Sequence, residues 1–170
     1  GAPTAVAGTA GSTQVSLTWS APASTGGTAI TDYIVQSSTD GTTWTTFADG
    51  TSASTSATVT GLTNGTAYTV KIRAVNVMGA GSASAGVAGT PYTTPSAPNL
   101  TGSMGAGNRT SIISWSAGSN GGSSITGYIV QYSLNNSTWT TVASGYTLLS
   151  YGFSNLSSNP TTYYYRVAAT

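Results

Sequence analysis

Residues 30–37 read ITDYIVQS, and residues 125–132 read ITGYIVQY. The two runs are offset by 95 positions. The same offset carries Trp44 onto Trp139, within WTT both times, and Tyr68 onto Tyr163. Trp19 falls on Trp115 at an offset of 96, so the loop after that Trp is one residue shorter in the second copy. That loop is Gly-rich in both copies, STGGTA and SNGGSS. A period this long exceeds a solenoid repeat and matches the size of a whole β-sandwich domain.

Within each copy the pattern is that of strands. Residues 14–20, QVSLTWS, alternate strictly and set Val15, Leu17 and Trp19 on one face. Tyr33 and Val35 do the same in the next run, as do Tyr68, Val70, Ile72 and Ala74 further on. Period-two alternation rich in Thr, Val and Tyr predicts half-buried strands, and no stretch carries a capped helical stripe. Asp40-Gly41 sits between two such runs and suits a tight hairpin turn with positive φ; Asn135-Asn136 is its counterpart.

Composition narrows the function classes. The chain is 38% hydrophobic with four Trp and ten Tyr, enough for two small cores. Only 4% of residues are charged and the net charge is +1. Four basic residues make a poor phosphate-binding surface, which argues against nucleic acid as partner. Apolar runs are only a few residues long, which argues against membrane insertion. The absence of Cys removes disulfides, thiolate metal sites and Cys nucleophiles, without fixing the compartment.

Catalytic chemistry has little to work with. There is no His, Cys or Glu, and the only side-chain carboxylates are Asp32, Asp40 and Asp49. General acid–base catalysis needs a proton-transferring group held in a site, and glycoside hydrolysis needs two facing carboxylates. The second copy has no acidic side chain. We therefore expect no enzyme, no catalytic residue, no cofactor and no metal site. Asp40 and Asp49 both precede Gly and read as turn residues.

Six Asn residues lie in N-x-[ST] sequons (Asn64, Asn99, Asn108, Asn135, Asn136 and Asn155), from which we infer no glycosylation. Trp44 and Trp139 follow the hairpin turn and are expected to cover a core edge. Tyr92, Tyr146 and Tyr151 fall outside the core pattern and are candidate ligand or partner contacts.

Each copy resembles a fibronectin type III domain of the bacterial or bacteriophage kind. The matching features are Pro3 and Pro98 near the first strand, Trp19 and Trp115 ending the second, and a YxV third strand at Tyr33–Val35 and Tyr128–Val130. GLTNGTAYTVKIRAVN at 61–76 resembles the family's LxPGTxYxxRVxAVN signature. The counterpart NLSSNPTTYYYRVAAT has one more residue between Leu156 and Tyr163 than separates Leu62 from Tyr68.

The resemblance implies an all-β chain of two immunoglobulin-like sandwiches in tandem. It implies Trp19 and Trp115 in the cores and Tyr68 and Tyr163 as tyrosine corners, each hydroxyl bonding backbone upstream. In the family, the strand holding Asp32 neighbours that of Lys71 and Arg73, which implies a surface ion pair. The Arg-Gly-Asp tripeptide of some family members is absent.

The expected domains are 1–90, a Pro-rich semi-rigid linker at 91–97, and 98–170, an arrangement suited to an elongated rod. In the first copy, AGSASAGVAGT at 80–90 should form the last strand; in the second, Ala169 aligns with Ala74 and the last strand is lacking. Two readings follow. The sequence is a portion of a longer chain, or a neighbouring subunit supplies the strand.

These features lead us to expect a structural or adhesive spacer of a larger extracellular or cell-surface assembly, such as a bacterial surface or filament protein, or alternatively a virion component. Its partners would be other protein subunits or further domains of the same chain. Surface glycans are a further candidate. The competing reading is an accessory linker or carbohydrate-binding module of a secreted polysaccharide-degrading enzyme, which rests on family analogy.

Overall fold

The computed structural model describes residues 1–104, 109–157 and 162–170. Asn108, in one of the sequons, lies outside the described residues. The chain divides into two compact units, Gly1–Thr93 and Thr94–Thr170. Each is an all-β sandwich of two antiparallel sheets.

In the first unit one sheet joins β1 (Thr4–Gly11), β2 (Gln14–Ser20) and β5 (Ser56–Thr60) in the order β1-β2-β5. The other joins β3 (Asp32–Ser38), β4 (Thr45–Thr46), β6 (Tyr68–Asn76) and β7 (Gly79–Ala83) in the order β4-β3-β6-β7. The short β8 (Val87–Gly89) also pairs with β6. Alternation decides the core. Val15, Leu17 and Trp19 from β2 meet Tyr33 and Val35 from β3 and Val70, Ile72 and Ala74 from β6, all buried.

The second unit repeats the plan. β9 (Asn99–Met104), β10 (Ser111–Ser116) and β13 (Ser150–Phe153) form one sheet in the order β13-β10-β9. β11 (Tyr128–Ser133), β12 (Thr140–Tyr146) and β14 (Tyr164–Ala169) form the other in the order β12-β11-β14. Among the described residues β14 has a ladder partner on one side only, β11.

The two cores hold their volume by different means. In the first, Val15 faces Val59 across the β2–β5 ladder; in the second, the equivalent pair is Ser111 and Phe153. Small against large replaces medium against medium, which keeps the interior filled. Leu17 opposite Ala57 becomes Ile113 opposite Tyr151 in the same way. Phe153 packs against Tyr165 at 4.6 Å and Tyr151 at 4.9 Å between ring centroids, so aromatic rings join Ile113, Val130 and Val167 in filling the second core.

Two expectations need correction. The Asp40-Gly41 turn is a longer loop, because Ser37 is paired with Thr45. Its shape comes from the Asp40 side chain, whose Oδ1 accepts the Thr42 and Thr43 amides at 2.8 and 2.7 Å. Positive φ is used where foreseen, 73° at Gly41 and 56° at Asn136. Within the stretch read as linker, Pro91 is fully buried; its carbonyl accepts the Gly65 amide at 2.8 Å, and Tyr92 N donates to Gly11 O at 3.1 Å. These residues are docked on the first unit because backbone hydrogen bonds from two turns hold them there.

Candidate interaction surface

The three carboxylates are distributed among loops and backbone. The Asp40 carboxylate accepts the amides of Thr43 and Thr42 and the Ser38 hydroxyl, which together hold its pKa well below the usual carboxylate range. Asp32 Oδ1 accepts the Ser52 amide at 2.8 Å. Its strand position faces Val75, while Gln36 faces Lys71 and Ile34 faces Arg73, so the register does not set up the ion pair implied by the resemblance. Asp49 is exposed, beside Gly50 at a φ of 82°. Among the described residues no three His, Cys, Asp or Glu come together.

Trp19 and Trp115 are buried, and each meets the Tyr of the facing strand edge-on. Trp19–Tyr33 has a centroid distance of 5.2 Å and Trp115–Tyr128 one of 5.5 Å, both at 68°. Neither indole N–H has a hydrogen-bond partner among the described residues. The packing energy of these rings therefore offsets an unmade hydrogen bond in each core. The Tyr68 hydroxyl accepts the Thr63 amide at 3.2 Å, and the Tyr163 hydroxyl accepts the Ser157 amide at 2.9 Å. Leu62 N donates to Thr13 O and Leu156 N to Arg109 O, both at 3.0 Å, so the same crossing is tied down in both units.

The candidate contact tyrosines separate. Tyr92 is 53% exposed. Tyr146 and Tyr151 sit half-buried at the border of the second core. Tyr146 lies 6.4 Å from Trp115 and 5.4 Å from Tyr151, and its hydroxyl donates to Ser150 O at 3.0 Å. The cause is β12, which runs to Tyr146 and lays it over Trp115, whereas β4 ends at Thr46.

Trp44 and Trp139 are also corrected. Neither joins a core cluster; both sit half-buried beside a cation from the same sheet, two strands away. Lys71 Nζ stands 3.6 Å from the Trp44 ring centroid, and Arg166 Cζ stands 4.2 Å from that of Trp139. Gln36 Nε2 donates to Thr46 Oγ1 at 3.1 Å and Gln131 Nε2 to Thr141 Oγ1 at 2.8 Å. A Trp, a cation, a Gln and a Thr thus come together once in each unit, on the outward face of its second sheet. The sequence held the signal, since the Trp and its cation share one repeat offset, but Lys71 and Arg166 differ in type and the Trp alone suggested a core role.

Residues 1–90 match the family model for the fibronectin type III domain. The chain belongs to the fibronectin type III family. Among solved structures it is similar to the chicken CNTN1 FN1-FN3 domains, at 22% identity and a TM-score of 0.45. That similarity covers 99% of this chain and 58% of the other, so the chain spans less than two thirds of that structure's length. No helix among the described residues is long and apolar enough to cross a membrane.

Proposed function

We propose that this chain is a non-catalytic structural or adhesive spacer of a larger extracellular or surface-exposed assembly. In that reading it is part of a bacterial surface or filament protein, or of a phage virion. The sandwich units supply a scaffold, and their partners are other subunits or further domains of the same chain.

One observation carries the proposal: a chain of 170 residues with four basic and three acidic side chains. A freely diffusing domain usually shows charge on about a quarter to a third of its surface, which keeps copies apart. Two sandwich units with this little charge have weak mutual repulsion and sheet edges without Lys guards. A place in an ordered array removes the need for both. Sedimentation velocity over a wide concentration range tests this. Concentration-dependent association at moderate salt is the expected result, and a strict monomer at high concentration overturns the assembly reading. Immunogold labelling of native surfaces or particles then assigns the compartment.

A further inference from the structure

We propose that Asn120 is a modification site, converted without an enzyme to aspartate and isoaspartate by attack of the Gly121 amide nitrogen. The chain's other Asn-Gly pair, Asn64-Gly65, is protected by the bonds around it. The inference is independent of the spacer role proposed above.

An Asn followed by Gly closes this ring easily, because Gly has no Cβ to obstruct it. Asn120 is exposed and heads a turn. Its O accepts Ser123 N at 3.3 Å, and Gly121 and Gly122 follow at φ 67° and 94°. Asn120 Oδ1 accepts Gly122 N at 3.0 Å, which curls the side chain back over the Gly121 peptide. That N–H is aimed at the oxygen that gains negative charge when Cγ is attacked. Gly121 N–H donates to Ser119 Oγ at 3.3 Å, and this exposed hydroxyl can pass the proton on to water. Asn64 is held differently. It is half-buried; its Oδ1 accepts Thr13 N at 2.8 Å and its Nδ2 donates to Ser12 Oγ at 3.5 Å, so both ends of the amide are turned to the β1–β2 connection. Gly65 N–H donates at 2.8 Å to the carbonyl of buried Pro91, which has no proton to relay.

The step needs only water. Gly121 N gives up its proton to hydroxide and attacks Asn120 Cγ. The N–Cγ bond forms, the Cγ–Nδ2 bond breaks, and ammonia leaves with a proton from water, which regenerates the hydroxide. The five-membered succinimide then adds water at either carbonyl carbon and opens to aspartate or isoaspartate. Either product places a carboxylate in a unit without acidic side chains and cancels the chain's net charge of +1. Isoaspartate also lengthens the backbone next to Ser119. There Ser119 N donates to Ser96 Oγ at 2.8 Å and Ser119 O accepts Ser96 N at 2.9 Å.

The test follows the full chain and its S119A and N120Q variants by mass spectrometry during incubation at mildly alkaline pH, folded and in guanidinium. Trypsin cleaves after Lys71 and Arg109 and so puts the two sites in different peptides, where fragmentation locates the amide-to-acid mass gain. In guanidinium both Asn should convert at similar rates, because both precede Gly and the folded-state bonds are gone. In the folded chain Asn64 should slow by at least ~10-fold, the factor that one or two net hydrogen bonds represent. Asn120 should keep its unfolded rate or exceed it. S119A should slow Asn120 several-fold and leave Asn64 as it was, with thermal unfolding checking that the variant is folded. N120Q should remove the mass gain at position 120. Asn120 protected as strongly as Asn64 in the folded chain, or S119A converting at the parent rate, would each overturn the proposal. Sedimentation of the unmodified chain is scored separately, so failure here leaves the spacer role standing.

Discussion

Tyr163 reaches back to Ser157: its hydroxyl accepts the Ser157 amide at 2.9 Å, as Tyr68 accepts Thr63 at 3.2 Å. The bond spans six residues in the second unit and five in the first, yet the Tyr does the same work. Removing the oxygen leaves an amide without its acceptor, which costs about 1–3 kcal/mol if water cannot replace it. We expect Y163F to lower the second unit's stability by about 1 kcal/mol, or roughly 4–8 °C in melting temperature. Y68F should do the same in the first unit. Calorimetry resolves the two transitions, and an unchanged melting profile in both variants would show that these bonds contribute nothing net.

The Ser111–Phe153 pair makes a sharper test of core packing. Phe153→Val should leave a void against Ser111 and cost about 2–3 kcal/mol, somewhat below the range for full truncation of Phe. Restoring the first unit's pairing with S111V should return part of that loss. The double-mutant cycle should give a favourable coupling of about 1 kcal/mol, as expected for residues in contact. Additive effects from chemical denaturation would mean that the two positions do not share one space.

Much of this architecture was readable because burial imposes period two on residues that also repeat. Val15, Leu17 and Trp19 announce their strand by alternation alone, and the 95-residue offset carries the assignment to the second copy. What escaped was set by geometry outside the strand period. Tyr146 enters the core border because β12 is longer than β4, a property of loop length that alternation does not encode. Asp32 turns to the Ser52 amide because register sets Val75, and not a cation, opposite it. The Trp–cation pairs depend on which residues share an outer face across three strands, and neither residue type alone reports that.

The pH response of the Asp40 loop follows from its bonds. Three donors favour the carboxylate, so its folded pKa lies below the unfolded value of 3.8. The contribution is therefore complete above pH 3.8 and declines as acid protonates the unfolded chain, down through the folded pKa. Asn135 fills the same role in the second unit with a neutral oxygen that accepts Ser137 N at 2.9 Å and Thr138 N at 2.8 Å. D40N should keep the loop and remove its titration. The stability difference between parent and variant should be larger at pH 7 than at pH 3, and a constant difference by urea unfolding would rule out this linkage.

Gly41 and Asn136 occupy equivalent left-handed positions, at φ 73° and 56°. A Cβ there meets the backbone, at a cost of about 1–2 kcal/mol for an ordinary side chain and less for Asn. Gly relieves that strain and adds entropy to the unfolded chain, so the two effects partly cancel. N136G should accordingly raise the second unit's stability by no more than about 0.5 kcal/mol, whereas N136V should lower it by about 1–2 kcal/mol. The relevant side-chain bonds come from Asn135, not Asn136, so neither substitution removes a cap. Thermal unfolding of the two variants separates backbone strain from side-chain bonding. A loss of stability in N136G as large as that in N136V would place the stabilising role in the Asn136 side chain itself.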